Sequence, residues 1–516
     1  MKRKICFLLA LCMLFAVAAS GCKKEEKTQA QNGDVMTIDW LPQCDDYVNK
    51  ESPIVKKYEE ILGVNINFIY LDRNQMTELL NMRIASNQIP DVMRLTKDMY
   101  QAYIDQGVLA NYSEDTLKAN APTLYDICKK NAWENLWRDI QIDGKLYGIP
   151  TLNIQGRYPF VPIWRDDWLK NVGIDKIPET LDEAEEAFYK FANDDPDRNG
   201  EKDTYALSSM GFNAVYGAFG TQEYGIWLEK DGQLVYTLTM PEMKEALTLL
   251  NKWYRDGLID PEFITGENKG QYWANSVSFC NGRIGFSVPG AYYHISSGEE
   301  TTTASNNYTT FKDLQGESAT YAPGKPFTGK DGKSGTYQWG VYNGNYIVMG
   351  KNVDKTEGKL EKILQIHEKI NSDFEFYKLT TIGIENEDYT YDSSTGYYDR
   401  SLFAAKNLSA ASAGLNTNGI AFVQNNFDFG EAVGKKDFDY AHKVADFQGY
   451  TNKVWAGLPS SGQYTGILES KAKEAIVLFI TGQRSLEEFD QYVQEMNTAG
   501  LSQLTKEANE WYESVK

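Results

Sequence analysis

Residues 36–68 constrain the chain most, because a strand-like run, a helix-like run and a second strand-like run follow one another with almost no spacer. "MTIDWLP" (36–42) has strand character. "SPIVKKYEEILG" (52–63) sets Ile54, Val55, Tyr58, Ile61 and Leu62 on one helical face, with Ser52 able to cap, Pro53 suited to the first turn and Gly63 placed to end the helix. "VNINFIY" (64–70) then alternates apolar and polar residues, as a half-buried strand does. Further helical runs at 76–86 and 99–109 flank an apolar "DVMRL" (91–95). Strands joined through helices run parallel, so this alternation predicts an α/β fold with helices on the faces of a parallel sheet.

The sheet is preceded by an export signal. Lys2, Arg3 and Lys4 lead an apolar stretch from Ile5 to Ala19, and Ser20-Gly21-Cys22 precedes an abrupt turn to charge. The small residues before Cys22 resemble the lipobox of bacterial lipoproteins, with Ala19 where that motif usually has Leu. The resemblance implies a leader over 1–21 and lipidation of Cys22; an ordinary secretory signal with an incidental Cys22 is the alternative. Residues 22–34 form a polar tether, and no later segment has the apolar length of a membrane span. The expected place is the outer face of the cell membrane. Lys23 lacks the inner-membrane retention aspartate of two-membrane bacteria, which with the long tether points to a Gram-positive cell.

About 480 residues remain, enough for two or more lobes. The net charge of −20 becomes −23 once the three leader cations are removed, which excludes a nucleic-acid partner and disfavours strongly anionic glycans unless a basic cleft intervenes; Arg157 is the residue placed to provide one. Past Cys22 only Cys44, Cys128 and Cys280 remain, too few and too widely spaced for a disulfide framework or a zinc site. His294, His367 and His442 carry no metal-ligand spacing.

Five phrases narrow the class. "NQIPDVMRLTKDMYQAYIDQGVLANYS" (87–113), "GKLYGIP" (144–150), "VPIWRDDWLKNVGI" (161–174), "FCNGRIGFSVPG" (279–290) and "WGVYNGNYIVMGKN" (339–352) occur in this order. Together they resemble the extracellular solute-binding proteins of bacterial carbohydrate ABC importers, the family of maltose-binding protein, and its large oligosaccharide-binding type. The resemblance covers nearly the whole mature chain. It implies a two-lobed periplasmic-binding-protein-like fold of type II, each lobe a β-sheet flanked by helices. Crossings are expected near 149–155, 286–289 and 345–349, with lobe 1 formed by 35–150 plus 290–345 and lobe 2 by 151–289 plus 346–516. The C-terminal helices are free to pack on either lobe.

"DDPDRNGEKDTY" (194–205) looks like a calcium loop. Counted from Asp195, oxygen ligands fall at Asp195, Asp197, Asn199 and Asp203, with the Glu201 carbonyl between them and Gly200 at the tight turn, the spacing of an EF-hand. The twelfth position, where a sensor has a bidentate Glu, is Ala206. Related binders carry a similar insertion filled by calcium, so the loop is expected to clamp a helix to a strand with structural Ca2+. A metal-free Asx-rich turn is the alternative.

No nucleophile elbow, zinc-protease motif or phosphate loop is present, and the acidic residues form no recognisable catalytic pair, so no enzyme is expected. Aromatic residues, 33 Tyr and 11 Trp among them, are abundant enough to supply the flat plates on which sugar C–H faces stack. The resemblance nominates Trp40, Gln43 and Asp98 in lobe 1; Asn153, Gln155, Arg157 and Tyr158 at the first crossing; Phe212, Asn213, Tyr216 and Trp227 in lobe 2; and Tyr292, Trp339, Tyr342 and Trp455 near later crossings or loops. At least two of Trp40, Tyr216, Trp227, Tyr292 and Trp339 are expected to touch ligand. The implied function is a monomeric, lipid-anchored receptor that closes on an oligosaccharide and delivers it to ABC permease subunits. The same fold binding a peptide or other small solute, or serving as a ligand-sensing surface lipoprotein, stands beside it.

Overall fold

The opening strand, helix and strand form where the sequence places them, over Thr37–Trp40, Pro53–Leu62 and Asn65–Phe68. Gly63 ends the helix in the left-handed region (φ 63°), its N–H reaching the carbonyls of Glu59 and Glu60. Two details differ. The Ser52 hydroxyl makes no cap and donates instead to the Ala413 carbonyl at 3.0 Å, and Ile61 is 48% exposed because the helix needs only Ile54, Val55, Tyr58 and Leu62 to cover its sheet.

The computed structural model describes residues 35–130, 140–264, 277–290, 306–455 and 457–516; the leader, Cys22, the tether and Tyr292 lie outside the described residues. Nine strands, β1 (Thr37–Trp40), β2 (Asn65–Phe68), β3 (Val92–Thr96), β4 (Gly148–Leu152), β5 (Ile163–Trp164), β6 (Tyr205–Leu207), β7 (Ile284–Ser287), β8 (Ala322–Pro323) and β9 (Tyr342–Met349), build two sheets. Their orders are β2-β1-β3-β9-β4 and β8-β5-β7-β6. Each sheet has its own core. Ile38, Tyr58, Met93, Ile347, Ile363 and Phe422 belong to the first, and Trp164, Phe188, Phe286, Phe327 and Phe479 to the second.

β1, β2 and β3 are parallel, as expected, but β9 runs antiparallel to both β3 and β4. The reason is topological. β4 carries the chain out of lobe 1 and β9 brings it back, so the two must run in opposite directions. In lobe 2, β5 enters from the first crossing and is antiparallel to β7, which is parallel to β6. The carboxyl ends of the parallel strands in both lobes therefore face the crossings and each other, where open α/β sheets hold ligands.

The lobes divide the chain differently from the sequence expectation. Phe327 packs on Trp164 and Phe286 in lobe 2, and Thr336–Tyr337 pairs with Gly449–Tyr450, so 306–337 is not part of lobe 1. Residues 346–423 belong to lobe 1, because β9 is buried between β3 and β4 and the helix Lys359–Ser372 packs Ile363, Leu364, Ile366 and Ile370 on the same core. Val454 to Ala508 returns to lobe 2, which fixes where the C-terminal helices pack. The crossings thus lie at 153–160, 338–341 and 424–448. Phe286–Pro289, expected as the second, is a central strand of lobe 2 and its exit.

Candidate ligand-binding site at the hinge

Hydrogen bonds tie the first two crossings to each other and to lobe 2, and the third crossing to the first through Tyr158 Oη and His442 Nε2, 3.0 Å apart. Asn153 N–H donates to the Val341 carbonyl at 2.6 Å, Phe160 N–H to Tyr337 at 2.8 Å and Gln338 N–H to Tyr450 at 2.9 Å. The Gln338 amide donates to the carbonyls of Gly156 and Arg157, both at 3.0 Å. Gly156 is required here, since a Cβ would stand 1.9 Å from the Gly340 carbonyl oxygen. In lobe 1, buried Asn425 donates to the Pro150 carbonyl and accepts from Leu152 N–H, both at 2.9 Å, while its own N–H donates to Asn371.

On the lobe 2 side an aromatic wall rises from this hinge. Trp339 and Tyr337 both stand edge-on to Phe160, with ring centres 5.3 and 5.4 Å away, and Tyr224 lies over Tyr337 at 4.3 Å. Tyr224 keeps 42% of its surface open, yet burial pushes its hydroxyl well up. Burial likewise pushes the neighbouring, half-buried Glu223 carboxyl up to about 8 against the weaker opposing bond from Tyr224. Beneath it, Asn213 Nδ2, Gln222 Oε1 and Tyr216 Oη are buried without a partner among the described residues. On lobe 1, the loops after β1 and β2 stack Tyr47 on Tyr70, ring centres 3.8 Å apart, with Tyr47 66% exposed.

Of the nominated residues, the structure brings several to the hinge. Trp339 is half-buried in the wall; Asn153 caps the Ile154–Arg157 turn, its side chain accepting from Gln155 N–H at 3.1 Å, and Gln155 is exposed. Asn213 holds the wall from behind, accepting from Tyr337 N–H at 2.7 Å. Gln43 is half-buried at the carboxyl end of β1, and half-buried Tyr342 opens β9. Arg157 and Tyr158 line a recess of about 520 Å³ with Pro159, Gln338, His442 and Asp446. Arg157 is already matched, by Glu431 at 2.5 Å, and it lies over the rings of Tyr158, Phe427 and Phe438. Asp98 falls in the first turn of the helix Lys97–Asp105, but its side chain, like Tyr292, lies outside the described residues.

Others pack within a lobe instead of facing the hinge. Trp40 is fully buried between Phe422 (5.8 Å) and His367 (5.5 Å), because it is the inward position at the end of β1. Phe212 and Tyr216 occupy the buried helix Phe212–Phe219, and Trp227 packs on Tyr236 within a hairpin. Trp455 stands edge-on to Trp511 at 4.7 Å, on the C-terminal helix. None of Trp40, Tyr216 and Trp227 offers a face, leaving Trp339 as the described member of the five that does. Sequence reasoning missed Glu223, Tyr224, Tyr337, Tyr47, Tyr70 and Arg94. The first two sit in "GFNAVYGAFGTQEYGIW" (211–227), the run that holds the nominated Phe212, Asn213, Tyr216 and Trp227, but nothing in it says which aromatics face out.

The acidic loop joins the helix Leu181–Asn193, which opens with a Thr180/Glu183 capping box, to β6. Asp195 accepts from the N–H groups of Asn199 and Gly200, both at 3.0 Å, and Asn199 Nδ2 donates to Asp197 (2.9 Å) and Asp203 (3.3 Å). Glu201 N–H donates to Asn199 Oδ1. Burial and the neighbouring Asp195 and Asp203 raise the Asp197 carboxyl, and Asp197 Oδ1 is buried without a partner among the described residues. Among the described residues no three His, Cys, Asp or Glu side chains are gathered as a metal group. The Asn199 amide nitrogen occupies the point on which the carboxylates converge. Ala206 is buried in β6, so a twelfth-position ligand is lacking.

Comparison with known proteins adds three findings. The bacterial extracellular solute-binding protein profile matches residues 53–357. Lipoprotein LipO of Bacillus subtilis (strain 168) is 26% identical across 98% of this chain and 97% of its own, and the polygalacturonan/rhamnogalacturonan-binding protein YtcQ of the same strain is 23% identical across 74% and 73%. Solved structures of the Streptococcus pneumoniae substrate-binding protein FusA align over 93% of this chain and 99% of theirs at 15% identity. One is bound to kestose, with a TM-score of 0.66, and one is an EF-hand mutant with fructo-nystose, at 0.65. At that identity they speak for the two-lobed fold.

Proposed function

Because the chain belongs to the bacterial extracellular solute-binding proteins, we propose that it is the receptor of an ABC importer that captures an oligosaccharide between its lobes and presents it, closed, to the permease. It is a binding protein and not an enzyme, as its family and relatives are. The observation that carries the sugar reading is the group of partly open rings Trp339, Tyr337 and Tyr224, backed by the buried Phe160 and beside the Glu223 carboxyl, with a second exposed stack, Tyr47 on Tyr70, on lobe 1. Aromatic plates take sugar C–H faces, and the polar groups at their edge take hydroxyls. Asn153, Gln155, Gln43 and Tyr342 are further contacts in this reading, and Asp98 and Tyr292 remain nominated with them. Ligand contacts made only when both lobes engage would shift the hinge toward closure.

A thermal-shift screen of the purified protein tests it, with neutral and acidic oligosaccharides against short peptides. A glycan at about a hundred times its Kd should stabilise the fold by about 2.7 kcal/mol. Trp339→Ala should weaken that glycan by about 1 kcal/mol or more. A response to peptides alone, with silence across the sugars, overturns the substrate.

We further propose lipid anchoring through Cys22 on the outer face of a Gram-positive cell membrane. Relatedness to a protein named as a lipoprotein supports it, and among the described residues no helix is long and apolar enough to cross a membrane. The acidic loop is proposed to hold structural calcium through Asp195, Asp197, Asn199, Asp203 and the Glu201 carbonyl, with the Asn199 amide turned to present its oxygen. The unpartnered Asp197 Oδ1 and the mutual repulsion of the carboxylates favour a cation there. Chelation should lower the melting temperature while leaving glycan binding in place. Complete loss of binding with the fold intact contradicts the clamp.

A further inference from the structure

Several arginines held within the fold are matched by carboxylates: Arg157 by Glu431, the buried Arg165 by Asp167, Arg283 by Asp260 and Arg484 by Glu495, while Arg400 faces Asp388 and Asp437. Half-buried Arg83, on the helix Met76–Ala85, and Arg94 have no such match among the described residues, and of the two Arg94 is the one on a strand of the sheet. It lies on β3, two residues before the carboxyl end that faces the opposite lobe, and among the described residues no carboxylate comes within ion-pair distance of it. The charge that bears on it is the repulsive one of Arg73, in the turn after β2; burial and that repulsion both disfavour its guanidinium.

Gln43 lies between the two arginines and neutralises neither. With its amide turned so that both ends are satisfied, it donates to Thr417 Oγ1 at 2.7 Å and accepts from both terminal nitrogens of Arg73 at 3.1 and 3.2 Å. That orientation sets an amide nitrogen, not an oxygen, 3.5 Å from Arg94 Nη1. Arg73 is held by Asp45, so the positive charge left over at this end of the sheet is that of Arg94. A desolvated guanidinium without an anion is costly to keep. Its planar fork of donors matches a carboxylate in two parallel hydrogen bonds.

We propose that Arg94, with Arg73 and Gln43 beside it, is a carboxylate-reading subsite on the lobe 1 side of the cleft, so that the oligosaccharide captured here carries uronic acid units. This rests on the oligosaccharide reading above and narrows it. The overall charge of −20 would repel such a ligand from the rest of the surface, which makes a local cation the condition for binding it. Arg157, the basic residue expected from sequence to play this part, is already neutralised by Glu431.

Calorimetric titration of the purified protein with uronate oligomers (oligogalacturonate, oligoguluronate and oligomannuronate) and with their carboxyl-reduced neutral counterparts tests the proposal. At least one acidic oligomer should bind about tenfold or more tighter than its reduced form. Added salt should narrow that gap. Arg94→Gln should erase the preference, and Arg94→Lys, which keeps the charge but loses the fork, should retain part of it. Equal affinity for acidic and reduced forms, or binding of neutral oligosaccharides alone, overturns the carboxylate subsite and leaves the sugar receptor standing. A response to peptides with none to any glycan overturns both. Should Arg94→Gln melt abnormally, the wild-type comparison of acidic and reduced oligomers still decides.

Discussion

Gly156→Ala is expected to destabilise the protein by about 3 kcal/mol and to disturb the seating of one lobe on the other. The added methyl would stand 1.9 Å from the Gly340 carbonyl oxygen, which is backbone of the second crossing and cannot rotate aside. Gly340 is itself fixed in the left-handed region (φ 81°), and the Gly156 carbonyl is bound by Gln338. Relief must come from separating two of the three crossings, which breaks hydrogen bonds between them. Gly462→Ala is the control, because nothing lies within 4 Å of its Cβ position and it sits in the helix Ser461–Thr481. Melting curves should show a drop of several degrees for the first variant and none for the second. A Gly156→Ala protein that melts like wild type would mean that the crossings are not held at this contact.

The second large effect concerns acid. His367 is fully buried in lobe 1 against Trp40, neither ring nitrogen has a hydrogen-bond partner among the described residues, and burial pushes its pKa down to about 3. The unfolded chain, with a pKa of about 6.5, takes up the proton first. The stabilisation from keeping this imidazole neutral is therefore complete above about pH 6.5 and is lost as pH falls toward the folded value. By pH 4.5 the loss is about 3 kcal/mol. Carboxylates contribute their own acid sensitivity, so the test is a difference. His367→Leu should lose much less stability than wild type between pH 7.5 and 4.5. Parallel profiles for the two proteins would show that His367 gains a proton without unfolding.

What the sequence revealed, it revealed locally. The strand, helix and strand at 37–68 and the stop at Gly63 depend on residues within a few positions of one another, and they stand as read. The lobe assignment depended on where β9 pairs, and nothing near 342–349 says that its partners are 92–96 and 148–152. The third crossing escaped for the same reason, since its anchor, Asn425, acts through Leu152 and Pro150. Site residues failed or succeeded by orientation. Trp40 and Trp339 are both aromatic and close to a strand end, yet one points into the core and the other onto the hinge. Charge was least legible of all. Arg157 looks free and is matched by a glutamate 274 positions later, whereas Arg94 sits within an apolar strand and has no carboxylate within ion-pair distance among the described residues.

Small-angle scattering of the purified protein, with and without a saturating amount of the oligosaccharide that raises its melting temperature, tests the central claim most directly. Capture between the lobes predicts a smaller radius of gyration and a more compact profile in the bound state, and a weaker change for Trp339→Ala at the same sugar concentration. An unchanged profile at full occupancy would place the sugar outside the cleft and contradict capture by closure.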